Sequence, residues 1–192
     1  HRDLHYCPTR GSAGLCVEMR TRLQGKGGGL AVSRPLPDMA DLQKNSEQWG
    51  ITPQTTVVVY TRTTPAAAAR AWFVLRWAGF ADVLYLDGGL AAWKAAGGEI
   101  APGIGLPDVI AQSETKGISF HRELVASTDD VLNHADHGAD IFDVRRKTEF
   151  DGTFHHACCA RPGRIPHSHF AFYEDVLKDG KYRPAEEIRQ IA

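Results

Sequence analysis

The hydrophobic pattern of this chain consists of short continuous apolar runs separated by stretches with helical spacing. Arg34-Pro35-Leu36-Pro37 interrupts any regular element, and Asp38 then stands where it can cap a helix running from Met39 towards Trp49, with Gly50 beyond its end. Thr56-Val57-Val58-Val59-Tyr60 is an unbroken β-branched and apolar run, which predicts a buried strand of a parallel sheet. Pro65 can open the next helix; Ala71, Val74, Leu75 and Ala78 share one of its faces, and Gly79 closes it. Val83-Leu84-Tyr85-Leu86 predicts a second buried strand. Asp87-Gly88-Gly89 then turns the chain into an amphipathic helix from Leu90 to Ala96, ended by Gly97-Gly98. Strand, helix, strand and helix in that order predict an α/β fold on a parallel sheet.

The pattern then lapses. Pro102, Gly103, Gly105, Pro107 and Gly117 fall in residues 99–118 with little periodicity, the composition of a linker. One domain is therefore expected over residues 1–98 and another over residues 119–192. In the second, Thr128 or Asp129 can cap a helix over residues 131–135, and Ile141-Phe142-Asp143-Val144 reads as a strand ending near a carboxylate. Arg161-Pro162-Gly163-Arg164-Ile165-Pro166 reads as a turn, and Arg183-Pro184 opens a last helix much as Arg34-Pro35 precedes the first. This weak repeat predicts two units in tandem, the first missing its opening strand and the second truncated in its C-terminal half.

Composition narrows the partners. With 192 residues, 43% hydrophobic and 9% aromatic, the chain has the make-up of a globular protein. Its 22 Lys+Arg stand against 23 Asp+Glu, so no basic surplus exists for a phosphate backbone, and nucleic acid is not an expected partner. The most apolar stretch, residues 66–80, is broken by Arg70 and Arg76, and no membrane span is expected. The four cysteines, Cys7, Cys16, Cys158 and Cys159, fit no disulfide framework; free thiols and a cytoplasmic location are the expectation.

Three segments together resemble rhodanese domains: Tyr85-Leu86-Asp87-Gly88-Gly89-Leu90-Ala91-Ala92-Trp93, the run Val57-Val58-Val59-Tyr60 before a helix-opening loop, and Asp143-Val144-Arg145 followed by the 161–166 turn. In tandem they are similar to the two-domain thiosulfate or 3-mercaptopyruvate sulfurtransferases, over residues 34–192. The resemblance implies an enzyme that moves a sulfane sulfur from such small sulfur-containing anions to a thiol or cyanide acceptor. It implies a cysteine persulfide intermediate and no metal or organic cofactor. In such domains a cysteine at the end of a central strand opens a loop into a helix, where loop amides and the helix start lower its pKa. Here that position is Thr61, whose hydroxyl cannot form a persulfide, so the first domain is expected to be an inactive scaffold, with Arg62 and Arg70 left as possible anion contacts. The interval from Arg34 to Thr61, laid off from Arg183, passes Ala192. The catalytic cysteine is therefore expected beyond this chain, and residues 1–192 alone are expected to be inactive.

In the second domain Asp143, Arg145 and Arg161 are the candidate substrate-binding residues. Glu149 stands where the resembled enzymes carry a substrate-contacting arginine, and a plainer role for Asp143 is to hold Arg145. Three rivals compete with this reading. His155, His156, Cys158, Cys159, His167 and His169 are soft or borderline ligands, but neighbours in an extended loop point apart and no Cys-x-x-Cys pair occurs, which argues against a metal site. Cys158 or Cys159 could itself accept sulfur, although neither precedes a helix start as a rhodanese cysteine does. Two degenerate units could also make a non-catalytic binding or regulatory protein.

Overall fold

A computed structural model describes residues 7–8, 23, 35–101, 118–135, 138–156 and 161–191. They divide into two units, the first reaching Arg122 and the second starting at Glu123. The division falls a few residues after the expected start of the second domain because Ile118 and Phe120 pack on the first unit's core. The Phe120 ring lies 4.7 Å from that of Trp77, and the His121 amide donates to the Trp77 carbonyl at 2.8 Å. Residues 102–117, most of the expected linker, lie outside the described residues.

The first unit opens with β1 (Cys7–Pro8). Helix α1 (Met39–Gln48) starts where its cap predicts: the Asp38 carboxylate accepts from the amides of Ala40 at 2.8 Å and Asp41 at 3.3 Å. Strand β2 (Val57–Val59) leads through a loop into α2 (Pro65–Trp77), which has proline in its first turn. Strand β3 (Val83–Tyr85) pairs in parallel with β2, Val57 opposite Val83 and Val59 opposite Tyr85. Helix α3 (Gly89–Ala95) follows, and β4 (Ile100–Ala101) runs antiparallel to β1. Leu23, Leu42, Val59, Val74, Leu75, Trp77, Phe80 and Val83 form the buried core. Each large apolar side chain there contributes roughly 1.5–3 kcal/mol by leaving water.

The two strands are not buried on both faces as their apolar runs predict. Val58 and Leu84 are 52% and 50% exposed and stand opposite each other in register, while Val59 and Val83 are buried. Successive strand residues point to opposite faces, and the core lies on only one face of this pair among the described residues.

A short 3-10 turn (Arg122–Leu124) falls at the division, and α4 (Thr128–Ala135) follows in the second unit. Its cap is Ser127, one residue before the expected Thr128 or Asp129. Ser127 Oγ accepts from the Asp130 amide at 3.1 Å, and the Asp130 carboxylate accepts from the Ser127 amide at 2.8 Å. Strand β5 (Phe142–Asp143) is shorter than its sequence pattern suggests and leads into α5 (Lys147–Phe150). Strand β6 (His169–Phe170) pairs in parallel with β5. A hairpin follows, β7 (Leu177–Lys178) with β8 (Lys181–Tyr182), its turn made by Asp179 and Gly180 with φ of 53° and 77°. Helix α6 (Ala185–Ile191) starts after Pro184, as expected. Arg183 ties the hairpin shut through the carbonyls of Asp175 at 2.8 Å and Val176 at 2.9 Å. Phe150 is the one buried side chain among this unit's described residues.

Candidate functional site

The loop from β2 into α2 holds Thr61. Its hydroxyl accepts from the amides of Thr63 and Thr64, each at 3.3 Å, so the side chain fills the concavity that these N–H groups would otherwise offer. Its carbonyl accepts from the Leu90 amide at 3.0 Å. This contact explains the Asp-Gly-Gly turn. Gly89 has a φ of 55°, and a Cβ there would stand 2.5 Å from the Thr61 carbonyl oxygen. The tryptophan of the same motif has an equally local reason. Trp93 Nε1 donates to the Glu99 carbonyl at 2.9 Å, and its ring lies where a Cβ on Gly98 would be. Arg70, a candidate anion contact, instead donates to the Pro35 carbonyl at 2.8 Å; Arg62 is exposed.

In the second unit the structure joins Asp143 and Arg145 directly. The Asp143 carboxylate accepts from the Arg145 amide at 3.0 Å and from its Nε at 2.9 Å, with Nη2 on the other oxygen. These side-chain hydrogen bonds hold the Asp143 carboxyl below its ordinary value, outweighing the upward push of partial burial. Arg145 Nη2 also reaches the Gly163 carbonyl at 2.8 Å, so the strand end and the 161–166 turn are fastened by one guanidinium. Gly152 crosses close to the same turn: a Cβ there would meet the Gly163 nitrogen at 3.1 Å. The Arg164 guanidinium lies 4.5 Å from the centre of the Phe150 ring, which packs against Phe170 at 5.2 Å. Arg161 is exposed at the start of the turn.

Sequence reasoning missed what lies across from Arg145. Beyond β6 the Tyr173 amide donates to the Val144 carbonyl at 3.2 Å, and the Tyr173 phenol donates to the Glu174 carboxylate at 2.7 Å. The Glu174 carboxylate, with some burial, pushes the phenol's pKa up, and Arg146 acts in the opposite sense. The run Phe170-Ala171-Phe172-Tyr173 was the available signal for a strand leading to this point.

Cys16, Cys158, Cys159 and His137 lie outside the described residues. His155 and His156 are exposed, and His169 stacks on Phe142 at 5.5 Å and lies 3.6 Å from Asp140. Among the described residues no three His, Cys, Asp or Glu side chains are grouped to hold a metal ion, and no helix is long and apolar enough to cross a membrane.

A parallel strand turning through a hydroxyl-filled loop into a helix, with a Gly-Gly turn pressed against it, is the arrangement the sequence motifs implied. Residues 29–96 match the rhodanese-like domain family. The match covers about a third of the chain. A probable 3-mercaptopyruvate sulfurtransferase of Pseudomonas aeruginosa is 33% identical over 164 residues, which cover 84% of this chain and 56% of that protein. A putative thiosulfate sulfurtransferase of Mycobacterium tuberculosis, SseB, is 51% identical over 69 residues, 36% of this chain and 24% of that protein. The chain therefore spans about half the length of the Pseudomonas relative.

Solved structures agree on the fold. SseA from Escherichia coli, described with the rhodanese fold and the mechanism of 3-mercaptopyruvate sulfotransferases, superposes with a TM-score of 0.69 at 26% identity, over 81% of this chain and 57% of that one. EanB superposes with a TM-score of 0.71 at 26% identity, over 81% of this chain and 42% of that one. One EanB variant has been solved with ergothioneine covalently linked with a cysteine persulfide.

Proposed function

We propose that this rhodanese-like chain is part of a tandem sulfurtransferase that moves a sulfane sulfur from thiosulfate or 3-mercaptopyruvate to a thiol or cyanide. The observation that carries this reading is the 33% identity over 164 residues with a probable 3-mercaptopyruvate sulfurtransferase, because that span is too long for the first unit alone. A cysteine thiolate attacks the outer sulfur of thiosulfate; a new S–S bond forms, the old one breaks, and sulfite leaves with the electron pair. With 3-mercaptopyruvate the C–S bond breaks instead, and the carbon keeps the pair, takes a proton and becomes pyruvate. The acceptor then attacks the outer sulfur and releases the cysteine as thiolate. The persulfide linked to ergothioneine in EanB supports this intermediate by analogy. A reducing, cytoplasmic setting would keep the thiols available.

Thr61 cannot take the nucleophile's part, so the first unit serves as scaffold in this proposal and the sulfur-carrying cysteine belongs to another part of the intact protein. Asp143 and Arg145 act together by fixing the 161–166 turn, with Arg161 displayed on it. The alternative, a non-catalytic binding protein, rests on the Thr61 hydroxyl alone. The test is to treat the intact protein with thiosulfate, then cyanide. A mass increase of one sulfur on a cysteine, discharged as thiocyanate, is expected, and residues 1–192 by themselves should form none. An intact protein that never gains sulfur would overturn the reading in favour of the binding protein.

A further inference from the structure

The strand pair of the first unit has two outer edges, and they are finished differently. The Val57 amide donates to the Asp82 carbonyl and the Leu86 amide to the Val59 carbonyl, each at 2.9 Å. With Val57 and Val59 bonded towards β3, the N–H and C=O of Val58 between them point the other way. Among the described residues these two groups have no hydrogen bond. On the far edge of β3 the Val83 carbonyl is instead taken by Trp72 Nε1 at 2.8 Å.

Open edges are normally blunted by a charge, a proline or a bulge. Strand β2 has none of these: it is apolar throughout and its register with β3 is unbroken. The Val58 side chain is half exposed beside Leu84, so backbone and side chain are both open to a partner. In β5 the carbonyls of Ile141 and Asp143 bond to β6, and Phe142 faces outward by the same alternation. That strand, however, is two residues long and carries the charge of Asp143.

Strand β2 matches a reversed copy of itself. Turned about a twofold axis at Val58, it sets Val57 against Val59, Thr56 against Tyr60, Thr55 against Thr61 and Gln54 against Arg62. No like charges meet, and β-branched residues face each other across the axis.

We propose that β2 is a dimer edge, where two copies of this chain pair antiparallel through Val58 into one four-stranded sheet. Each Val58 gives its N–H to the other's carbonyl, and Leu84 and Val58 of both copies line one face. Two strands alone are marginal, and the pairing doubles them. A twofold contact closes on itself, so it yields dimers and not fibres. The sulfurtransferase reading is not needed for any of this.

The test combines sedimentation equilibrium with amide exchange on the 192-residue chain. The contact is small, so a weak dimer should form as concentration rises towards about 1 mM. Exchange at the Val58 amide should slow with it, while the Val57 amide, already bonded to Asp82, should not respond. Val58→Lys and Val58→Glu should each weaken the dimer about tenfold or more, because like charges then meet across the axis. Their equal mixture should pair again, and Val58→Thr should stay dimeric. Tryptophan fluorescence in urea shows whether the charged variants are folded; if they are not, the Val58 amide of the wild type decides. A chain that stays monomeric, or a dimer whose Val58 amide ignores concentration, would overturn the proposal. So would folded Lys and Glu variants that do not pair when mixed, or a dimer lost in Phe142→Lys and kept in Val58→Lys.

Discussion

The loop after β2 and the loop after β5 both begin where a parallel strand runs out, yet they spend their polar groups differently. In the first unit, the Thr61 hydroxyl and carbonyl take three backbone N–H groups, and Arg70 is turned to Pro35. In the second, Arg145 holds the Asp143 carboxylate, and the Tyr173 phenol donates to the Glu174 carboxylate. A strand-to-helix loop is therefore not a ligand site by shape alone; what counts is whether its donors are already satisfied. The units differ in the same way inside. The first buries Phe80, Leu42 and Val74 almost completely, whereas the second leans on Phe150 flanked by Arg164 and Lys147.

The largest effect that would sharpen this contrast is on the first unit's core. Phe80 is 1% exposed, and Phe80→Ala should cost about 3–5 kcal/mol through lost transfer energy and the cavity left behind. Trp49, Trp72, Trp77 and Trp93 all lie in this unit, so tryptophan fluorescence in urea reads it directly. A loss below about 1 kcal/mol would mean that the site collapses around the deletion.

Next in size is the Gly-Gly turn. Gly89→Ala must fit a Cβ 2.5 Å from the Thr61 oxygen at positive φ, and about 3 kcal/mol is expected from clash and backbone strain together. The same fluorescence measurement checks it, and Gly97→Ala is the comparison. Gly97 also has positive φ, but nothing stands within 4 Å of its would-be Cβ, so only the backbone cost of about 1–2 kcal/mol should appear. Equal losses at the two glycines would remove the close approach as the reason for the motif.

What could be read ahead of the structure was what depends on neighbours in sequence. The Asp38 cap, the Pro65 opening and the Asp87-Gly88-Gly89 turn are local, and they appear where expected. Ser127, Thr128 and Asp129 can all cap, and only the return bond from Asp130 selects the first. The short strands β6, β7 and β8 offer too few residues for a period, although Asp179-Gly180 is a hairpin signal that could have been used. The bond from Arg145 to Gly163 joins segments that no spacing rule connects, and it changes Arg145 from a free candidate ligand into the fastening of a turn.

That fastening has a pH signature. Because the folded-state pKa of Asp143 lies below its ordinary value of 3.8, its contribution is complete above that value and is lost as pH falls through the lowered folded value. Asp143→Asn should cost about 1 kcal/mol at neutral pH, discounted because Arg145 is partly exposed, and should remove this acid-limb dependence. Amide exchange at Gly163 to Ile165, followed from pH 6 to pH 3 in both proteins, checks it. Parallel pH curves would show that the pair does not hold the turn.

The smallest effect is at Thr61, and it bears most on why the two loops differ. Its two hydroxyl contacts are long and partly exposed, so Thr61→Ala should cost only about 0.5 kcal/mol, with faster exchange at the Thr63 and Thr64 amides, and Thr61→Ser should change neither. Sulfur transfer by the intact protein should be the same in all three, because a hydroxyl that serves two backbone amides takes no part in carrying sulfur. Thr61→Cys puts a thiol within reach of those amides, which favour its thiolate. If that thiol gains a sulfur from thiosulfate, the loop has kept its electrostatic design and lost only its nucleophile. If it stays a plain thiol, the loop has been rebuilt around the threonine, and the two loops differ in architecture as well as in one atom.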